Sequence, residues 1–384
     1  MRADARDVAA GVALGATVAA AGFTAFALLR LRAFARREPP RSQLRPPITI
    51  LKPVHGLEAG LEDNLRTFCT QDYPEYQVVL GVLDPADSAL PILRRIAGDC
   101  GDRVTVVAGD GVARHRNPKI ATLAPMLPHA RHDILVVADS DMRVGPDYLD
   151  AIAAAFDDPQ VGAATCIYRG EPAHDNLASL LGAMSITDQF APSALVATSL
   201  EPLTYCFGGT MAVRHAVLDE IGGLDALGAQ LADDAALGRL TSAHGHRVAL
   251  AHYVAATVVD EPNLAALIAH ELRWCRTIRS VRPRSYFGLL LTYPIPLALA
   301  YLALARDRRA ALAVVTVAKT LRIALHVTAH RVLGAPSRPP LALVPLRDLL
   351  GVAIWALGSF GDDVRWRGRD LHIAPDGEIE AAEG

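Results

Sequence analysis

The sequence predicts an α/β fold, a mostly parallel sheet covered by helices, set between an N-terminal transmembrane helix and further apolar segments towards the C-terminus. Three observations carry this. Between residues 48 and 259 short apolar runs alternate with stretches of helical spacing, the pattern of a sheet covered on both faces. Residues 8–29 carry no charged side chain. From residue 287 the chain turns apolar again. Its 384 residues, 51% apolar and 21% charged, leave room for a large soluble domain plus these segments. The net charge of -3 points away from nucleic acid as a partner. Cys69, Cys100, Cys166, Cys206 and Cys275 are scattered, with no pair at metal spacing, and suit free thiols in a reducing compartment.

Taken in order, residues 8–29 form a helix of about 33 Å, long enough to cross a bilayer core. The run is long for a secretory signal, and no convincing cleavage site follows. Arg30, Arg32, Arg36, Arg37, Arg41 and Arg45 come directly after it, while Asp4 and Asp7 offset Arg2 and Arg6 before it. The excess of arginine puts the following domain in the cytoplasm. A Pro/Arg linker occupies residues 39–47. Strands are expected at 48–51, 77–83, 104–107, 134–138 and 161–167, and helices at 60–69 and 90–97. There is no internal repeat, no Gly-x-Gly-x-x-Gly and no Gly-Lys-Ser/Thr loop. In the tail, residues 287–305 are uncharged but hold Pro294 and Pro296, which makes this segment the one expected to be re-entrant or interfacial. Residues 310–330 carry Lys319, Arg322, His326 and His330 at spacings that share one helical face. Such groups at membrane depth face protein, water or a head group, or snorkel from the helix ends. Residues 341–360 are broken by Arg347-Asp348. The expected blocks are an anchor and linker (1–45), a cytosolic α/β domain (46–284), membrane segments (285–362) and a tail (363–384).

Acids stand at three separated places: Asp84 at the end of one strand, Asp139-Ser140-Asp141 at the end of another, and Asp233-Asp234 near a helix start. Two carboxylates one residue apart, where a strand leaves the core, suit a hard divalent cation on a diphosphate, and such sheets bind ligands at the carboxyl ends of their strands. Each also has a plainer reading. Asp84 precedes Pro85 and fits a turn, Asp233-Asp234 fits a helix cap, and a lone Asp-x-Asp fits either. Lys119 fits a solvated lysine, and Arg273-Trp274 an interfacial anchor.

Three acidic positions followed by His270-Glu271-Leu272-Arg273-Trp274 resemble the pattern of family-2-type glycosyltransferases, which end in (Gln/Arg)-x-x-Arg-Trp. The chain looks most like the ceramide glucosyltransferase group. Ile50-Leu51-Lys52-Pro53 with Gly56, Asn64-Leu65-x-Thr67-Phe68, Asp72-Tyr73-Pro74-x-Tyr76, Asn117-Pro118-Lys119, Asp139-Ser140-x-x-Arg143-Val144 and Gly222-Gly223 carry the match. Within that group it resembles the bacterial hopanoid-biosynthesis glycosyltransferases, through the run from His270 to Arg279 and the terminal Arg365-Trp366-Arg367-Gly368-Arg369. It departs from the pattern at His270, at Asp233 where Glu is usual, and at Asp141 where animal ceramide enzymes carry Gly.

The resemblance implies a GT-A, Rossmann-like nucleotide-diphospho-sugar transferase domain in a multi-pass protein of the bacterial inner membrane. The implied donor is a UDP-sugar, with Asp84, Lys119, Asp139 and Arg273 binding it. Asp141, with Asp139, is the implied ligand set for Mn²⁺ or Mg²⁺. Asp234 is the implied catalytic base, and Trp274, His270 and Asp233 face sugar or acceptor. The implied reaction moves N-acetylglucosamine, with inversion, to a hydroxyl of a membrane lipid in the bilayer, bacteriohopanetetrol. Ceramide with UDP-glucose, a polyisoprenyl-phosphate acceptor and a non-catalytic membrane scaffold stand as alternatives.

Overall fold

A computed structural model describes residues 4–335, 339–366, 369–374 and 377–381. It divides into two compact units that are not consecutive along the chain. A helical unit comprises Met1–Arg37, Gly170–Leu200 and Glu261–Asp370, and a sheet unit comprises Glu38–Arg169, Glu201–Asp260 and Leu371–Gly384.

In the sheet unit, β1 (Ile48–Val54), β2 (Tyr76–Val82), β3 (Val104–Ala108) and β4 (Ile134–Val137) are parallel neighbours in the order β3-β2-β1-β4. Beyond β4 the sheet continues with β7 (Met211–Arg214), β6 (Val161–Pro172), β8 (Arg247–Val259) and β5 (Met142–Arg143). There β4–β7, β6–β7 and β5–β8 pair antiparallel. The expectation of a mostly parallel sheet therefore holds for one half only. Apolar periodicity marks a strand, whereas its direction is set by the connection that returns it to the sheet. β1 also runs three residues further than residues 48–51. Lys52 and Pro53 disguise its end, but β4 partners β1 only as far as Leu51, so the missing N–H of Pro53 costs no bond on that side.

Both faces of this sheet are covered, which is why its central strands are apolar at every other position on each side. Ile48, Ile50, Val78, Leu80 and Val136 pack against α2 (Leu61–Cys69), α3 (Leu90–Cys100) and α5 (Tyr148–Ala155). Leu51, Val79, Leu135 and Val137 pack against α4 (Pro118–Leu123), α8 (His215–Glu220) and α9 (Asp233–Ala243). Each such Leu, Ile or Val contributes about 1.5–3 kcal/mol by leaving water. The hairpin of β10 (Arg369–Ile373) and β11 (Ile379–Ala381) lies near the chain end, and Leu231 and Ile379 exchange backbone bonds with Gly377 and Ala229.

The helical unit holds α1 (Ala5–Ala35), which packs on α7 (Ala191–Leu200), α12 (Pro294–Leu304) and α13 (Arg308–Val332). The rest comprises α6 (Leu177–Ser185), joined to α7 by a π-helical turn at Ile186–Phe190, then α10 (Leu264–Val281), α11 (Pro283–Gly288), α14 (Leu343–Gly358) and β9 (Asp363–Trp366). Among the described residues, α1 and α13 are long and apolar enough to cross a membrane. The segment Pro283–Thr292 meets α12 at a 72° bend, where Pro294 starts the new helix. α14, at 16 residues, spans only about 24 Å and is not among the candidates. Its Arg347 and Asp348 are buried in ion pairs, with Arg347 holding Glu271 of α10 through two bonds of 2.9 and 2.7 Å. On α13, Lys319 is exposed, but Arg322, His326 and His330 are buried against protein and do not snorkel. In the terminal basic motif, Arg367 and Gly368 lie outside the described residues.

Candidate active site

The site assembles at the carboxyl end of β4. Val137 pairs with Met211, so the antiparallel β7 brings the turn at residues 207–210 beside Ala138–Asp141. α9 follows, its first two residues being Asp233 and Asp234. Gly238, one turn on, lets α9 rest on the Tyr205 backbone, where an added Cβ would overlap it. α4 supplies the cation. Asn117 caps it by accepting from the N–H groups of Lys119 and Ile120, and Pro118 takes the first helical position. The Asn117 amide also donates to the Gln230 carbonyl at 2.8 Å, tying α4 to the loop ahead of α9.

Lys119 is therefore held among acids. Its Nζ lies 2.8 Å from Asp139 Oδ1 and 3.5 Å from Asp233 Oδ2, and donates to the Gly208 carbonyl at 3.3 Å. Its side chain is only 7% exposed, which sets aside the solvated-lysine reading. Burial alone lowers a lysine pKa, but the charges of Asp139, Asp233 and Asp234 outweigh it and raise Lys119 above its ordinary value. Asp234 behaves differently. Burial, then the Asp233 charge, push its carboxyl up to about 6, with Lys119 pulling the other way. A half-buried carboxylate with that pKa is suited to accept a proton near neutral pH.

Asp139 and Asp141 part company here. Asp139 is occupied by Lys119, with its side chain 40% exposed. Asp141 Oδ2 accepts from Thr257 Oγ1 at 2.7 Å, while its Oδ1 is buried and has no hydrogen-bond partner among the described residues. A buried, unsatisfied carboxylate oxygen is costly in itself and is what a divalent cation satisfies. The residues present thus fit a metal. Burial, then the charges of Asp139 and Glu58, push the Asp141 carboxyl up to about 7.

Three participants had no role in the sequence reading. Lys52, fully buried in β1, donates its ammonium to the Asp139 carbonyl and stands 3.8 Å over the Phe68 ring. Burial lowers it to about 7 against the charges of Asp141, Asp139 and Glu58. Glu58 accepts from Ser140 Oγ at 2.7 Å. Thr257 comes from β8. A lysine inside an apolar strand was the available signal for Lys52; nothing local marked the other two.

Gly208 faces the gap between the carboxylates. A Cβ there would stand 3.3 Å from Asp234 Oδ2 and 3.8 Å from Asp139 Oδ2. Gly208→Ala is expected to keep the far-UV CD spectrum and lower the activity of this cluster by about 10- to 100-fold, because it crowds groups whose positions must hold within an ångström. An unchanged rate would show that this gap takes no part.

Asp84 lies in the same unit but outside this cluster of contacts. It is exposed, two residues past β2, and accepts from the Ala86 N–H at 2.8 Å, the local turn its Pro85 neighbour implied. His270, Arg273 and Trp274 belong to the helical unit, on α10. His270 Nδ1 is 2.6 Å from Glu261 Oε1, and its ring lies 4.3 Å from that of Trp274. The Arg273 guanidinium stands over the Trp366 ring at 5.6 Å.

A profile described as glycosyl transferase family 21 matches residues 12–379. Among curated proteins, the chain is 23% identical over 212 residues to ceramide glucosyltransferase 1 of Caenorhabditis elegans, covering 55% of this chain and 45% of that one. It is 28% identical over 148 residues to a ceramide glucosyltransferase of Gibberella zeae, covering 35% and 28%. The chain thus spans less than half the length of either relative. Among solved structures, the mannosyltransferase PcManGT from Pyrobaculum calidifontis, in complex with GDP-Man and Mn²⁺, superposes with a TM-score of 0.51 at 21% identity, covering 92% of this chain and 99% of that one. The fold is that of the GT-A glycosyltransferases.

Proposed function

The chain belongs to glycosyl transferase family 21, and from that premise we propose that it moves N-acetylglucosamine from a UDP-sugar to a hydroxyl of a membrane lipid, the hopanoid bacteriohopanetetrol, with inversion. The observation that carries the reading is the cluster at the end of β4, where one buried lysine is set among Asp139, Asp233 and Asp234 beside the unsatisfied oxygen of Asp141. Asp141, with Asp139 sharing, would hold Mn²⁺ or Mg²⁺, which when bound would supply Lewis-acid neutralisation of charge on the leaving diphosphate. Asp234 takes the proton of the lipid hydroxyl as its oxygen bonds to the anomeric carbon and the bond to the diphosphate breaks. Attack from the face opposite the leaving group inverts that centre. Lys119 holds the carboxylates around it in place. From the motif alone, Asp84 serves the uridine half, Arg273 the diphosphate, and His270, Trp274 and Asp233 the sugar or acceptor.

The arginines after α1 and the apolar helices support a bacterial inner-membrane protein with the sheet unit in the cytosol. A second reading, transfer of glucose to ceramide, is favoured by the names of the curated relatives. Purified protein supplied with UDP-N-acetylglucosamine and bacteriohopanetetrol, or with UDP-glucose and ceramide, separates the two. Lipid mass spectrometry after gene deletion is the test in cells. Loss of a glycosylated hopanoid supports the first reading, and loss of a glycosylceramide replaces it with the second. In the same assay Asp141→Asn is expected to raise the Mn²⁺ concentration needed for half-maximal activity by at least about 10-fold. An unchanged Mn²⁺ titration would remove Asp141 from the metal.

A further inference from the structure

A second group of ligand-type side chains lies in the helical unit, apart from the acids that the proposed reaction uses. Asp188 sits in the π-helical turn between α6 and α7, a kind of helix defect often found where side chains are aimed at a site. It meets His326 and His330, one turn apart on α13. His326 Nδ1 is 2.7 Å from Asp188 Oδ2, and His330 Nε2 is 3.2 Å from Asp188 Oδ1. One ligand atom from each residue lies within 4.8 Å of the others, and all three residues are buried. His326 Nε2 is also buried, with no hydrogen-bond partner among the described residues.

The charges around this group leave a position for a cation. Arg322 bonds Asp348 through Nε at 2.9 Å and stands 3.8 Å from Asp188. Its guanidinium balances one of the two carboxylates. The other, Asp188, has both oxygens turned to imidazoles. With neutral histidines the buried group carries one uncompensated negative charge, an arrangement that requires a further positive charge. A single imidazolium proton would need only one histidine. Two imidazoles converging on one carboxylate make the donor set of a borderline transition-metal ion, and imidazole donors disfavour Mg²⁺ and Ca²⁺.

We propose that Asp188, His326 and His330 bind a zinc ion that cross-links the α6–α7 segment to α13, separately from the cation of the catalytic cluster. The reading does not depend on which sugar or lipid the protein uses.

The test uses the full chain, purified in detergent through a histidine-free affinity tag, with excess Mg²⁺ filling the acidic site. Elemental analysis after dialysis is expected to find about one zinc per chain in the wild type. His326→Gln and His330→Gln, made singly, are each expected to lose it. Because these variants can also fail to fold, the wild type is stripped and reloaded with Co²⁺, which is expected to give the strong visible ligand-field bands of a four-coordinate site. A wild type with no retained zinc and no such bands overturns the proposal and leaves the group as a proton-sharing ion network. Zinc that persists at the same level in both folded variants overturns it as well.

Discussion

Asp234→Asn is expected to lower the turnover of glycosyl transfer by about 10²–10⁴-fold, the usual contribution of a positioned general base, while leaving the Kd for the donor within a few-fold. The asparagine keeps the shape of the side chain and the bond to the Ala235 N–H is replaceable, so the fold at the start of α9 is expected to survive. The pH dependence follows from the raised carboxyl. A base works only when deprotonated, and Asp234 holds its proton up to about pH 6 because it is buried beside Asp233. Wild-type turnover therefore falls as the pH drops through about 6, and Asp234→Asn removes this acid limb along with the rate. Asp233→Asn takes away the like charge, lowers the Asp234 pKa and moves the limb to lower pH. Steady-state rates with UDP-sugar and lipid in detergent, from pH 5 to pH 8, read all three. Full activity in Asp234→Asn would assign the base elsewhere, whereas an acid limb near pH 7 that persists in it belongs to Asp141, whose buried carboxyl is raised to about 7.

Lys119→Met is expected to destabilise the sheet unit by about 3–5 kcal/mol, the usual cost of removing one partner from a buried ion group. Methionine fills most of the same volume, so the loss is electrostatic. It leaves Asp139 and Asp233 without the cation that lies 2.8 and 3.5 Å from them. The thermal midpoint falls. Since Lys119 is also a charge that holds down the Asp234 pKa, the acid limb of turnover moves to higher pH, opposite in sign to Asp233→Asn. Differential scanning fluorimetry and the same pH series check both. A variant with wild-type melting and an unmoved limb would mean that Lys119 is exchangeable with solvent after all.

Much of this was legible in the sequence because the signals were local. An uncharged apolar run of about twenty residues is a helix at any place in any fold, and α1 is one. The strands of the parallel half announced themselves as short branched runs, and Asn117-Pro118-Lys119 carried its own cap and its own start. Asp139-Ser140-Asp141 and Asp233-Asp234 could be picked out because acids stood where an apolar run ended or a helix began. What sequence could not give to these residues was their partners.

The division of labour between Asp139 and Asp141 rests on tertiary placement. Lys119 takes up one carboxylate and Thr257, from a strand more than a hundred residues away, takes only one oxygen of the other. The same holds for Lys52, whose burial in β1 and reach to the Asp139 carbonyl depend on β4 lying alongside. On α13 the spacing placed Arg322, His326 and His330 on one face, but only the packing of a segment 138 residues earlier decided that this face meets a buried carboxylate and not a head group. The sequence by itself determined the strands of the parallel half, the long apolar helices α1 and α13 and which acids end a strand or begin a helix, since hydrophobic period and capping act within a few residues; it did not mark β5, β7 or β8. Only the tertiary structure decided which charges neighbour one another and how deeply, and burial and charge neighbours are what set a pKa, free a ligand atom or make a base.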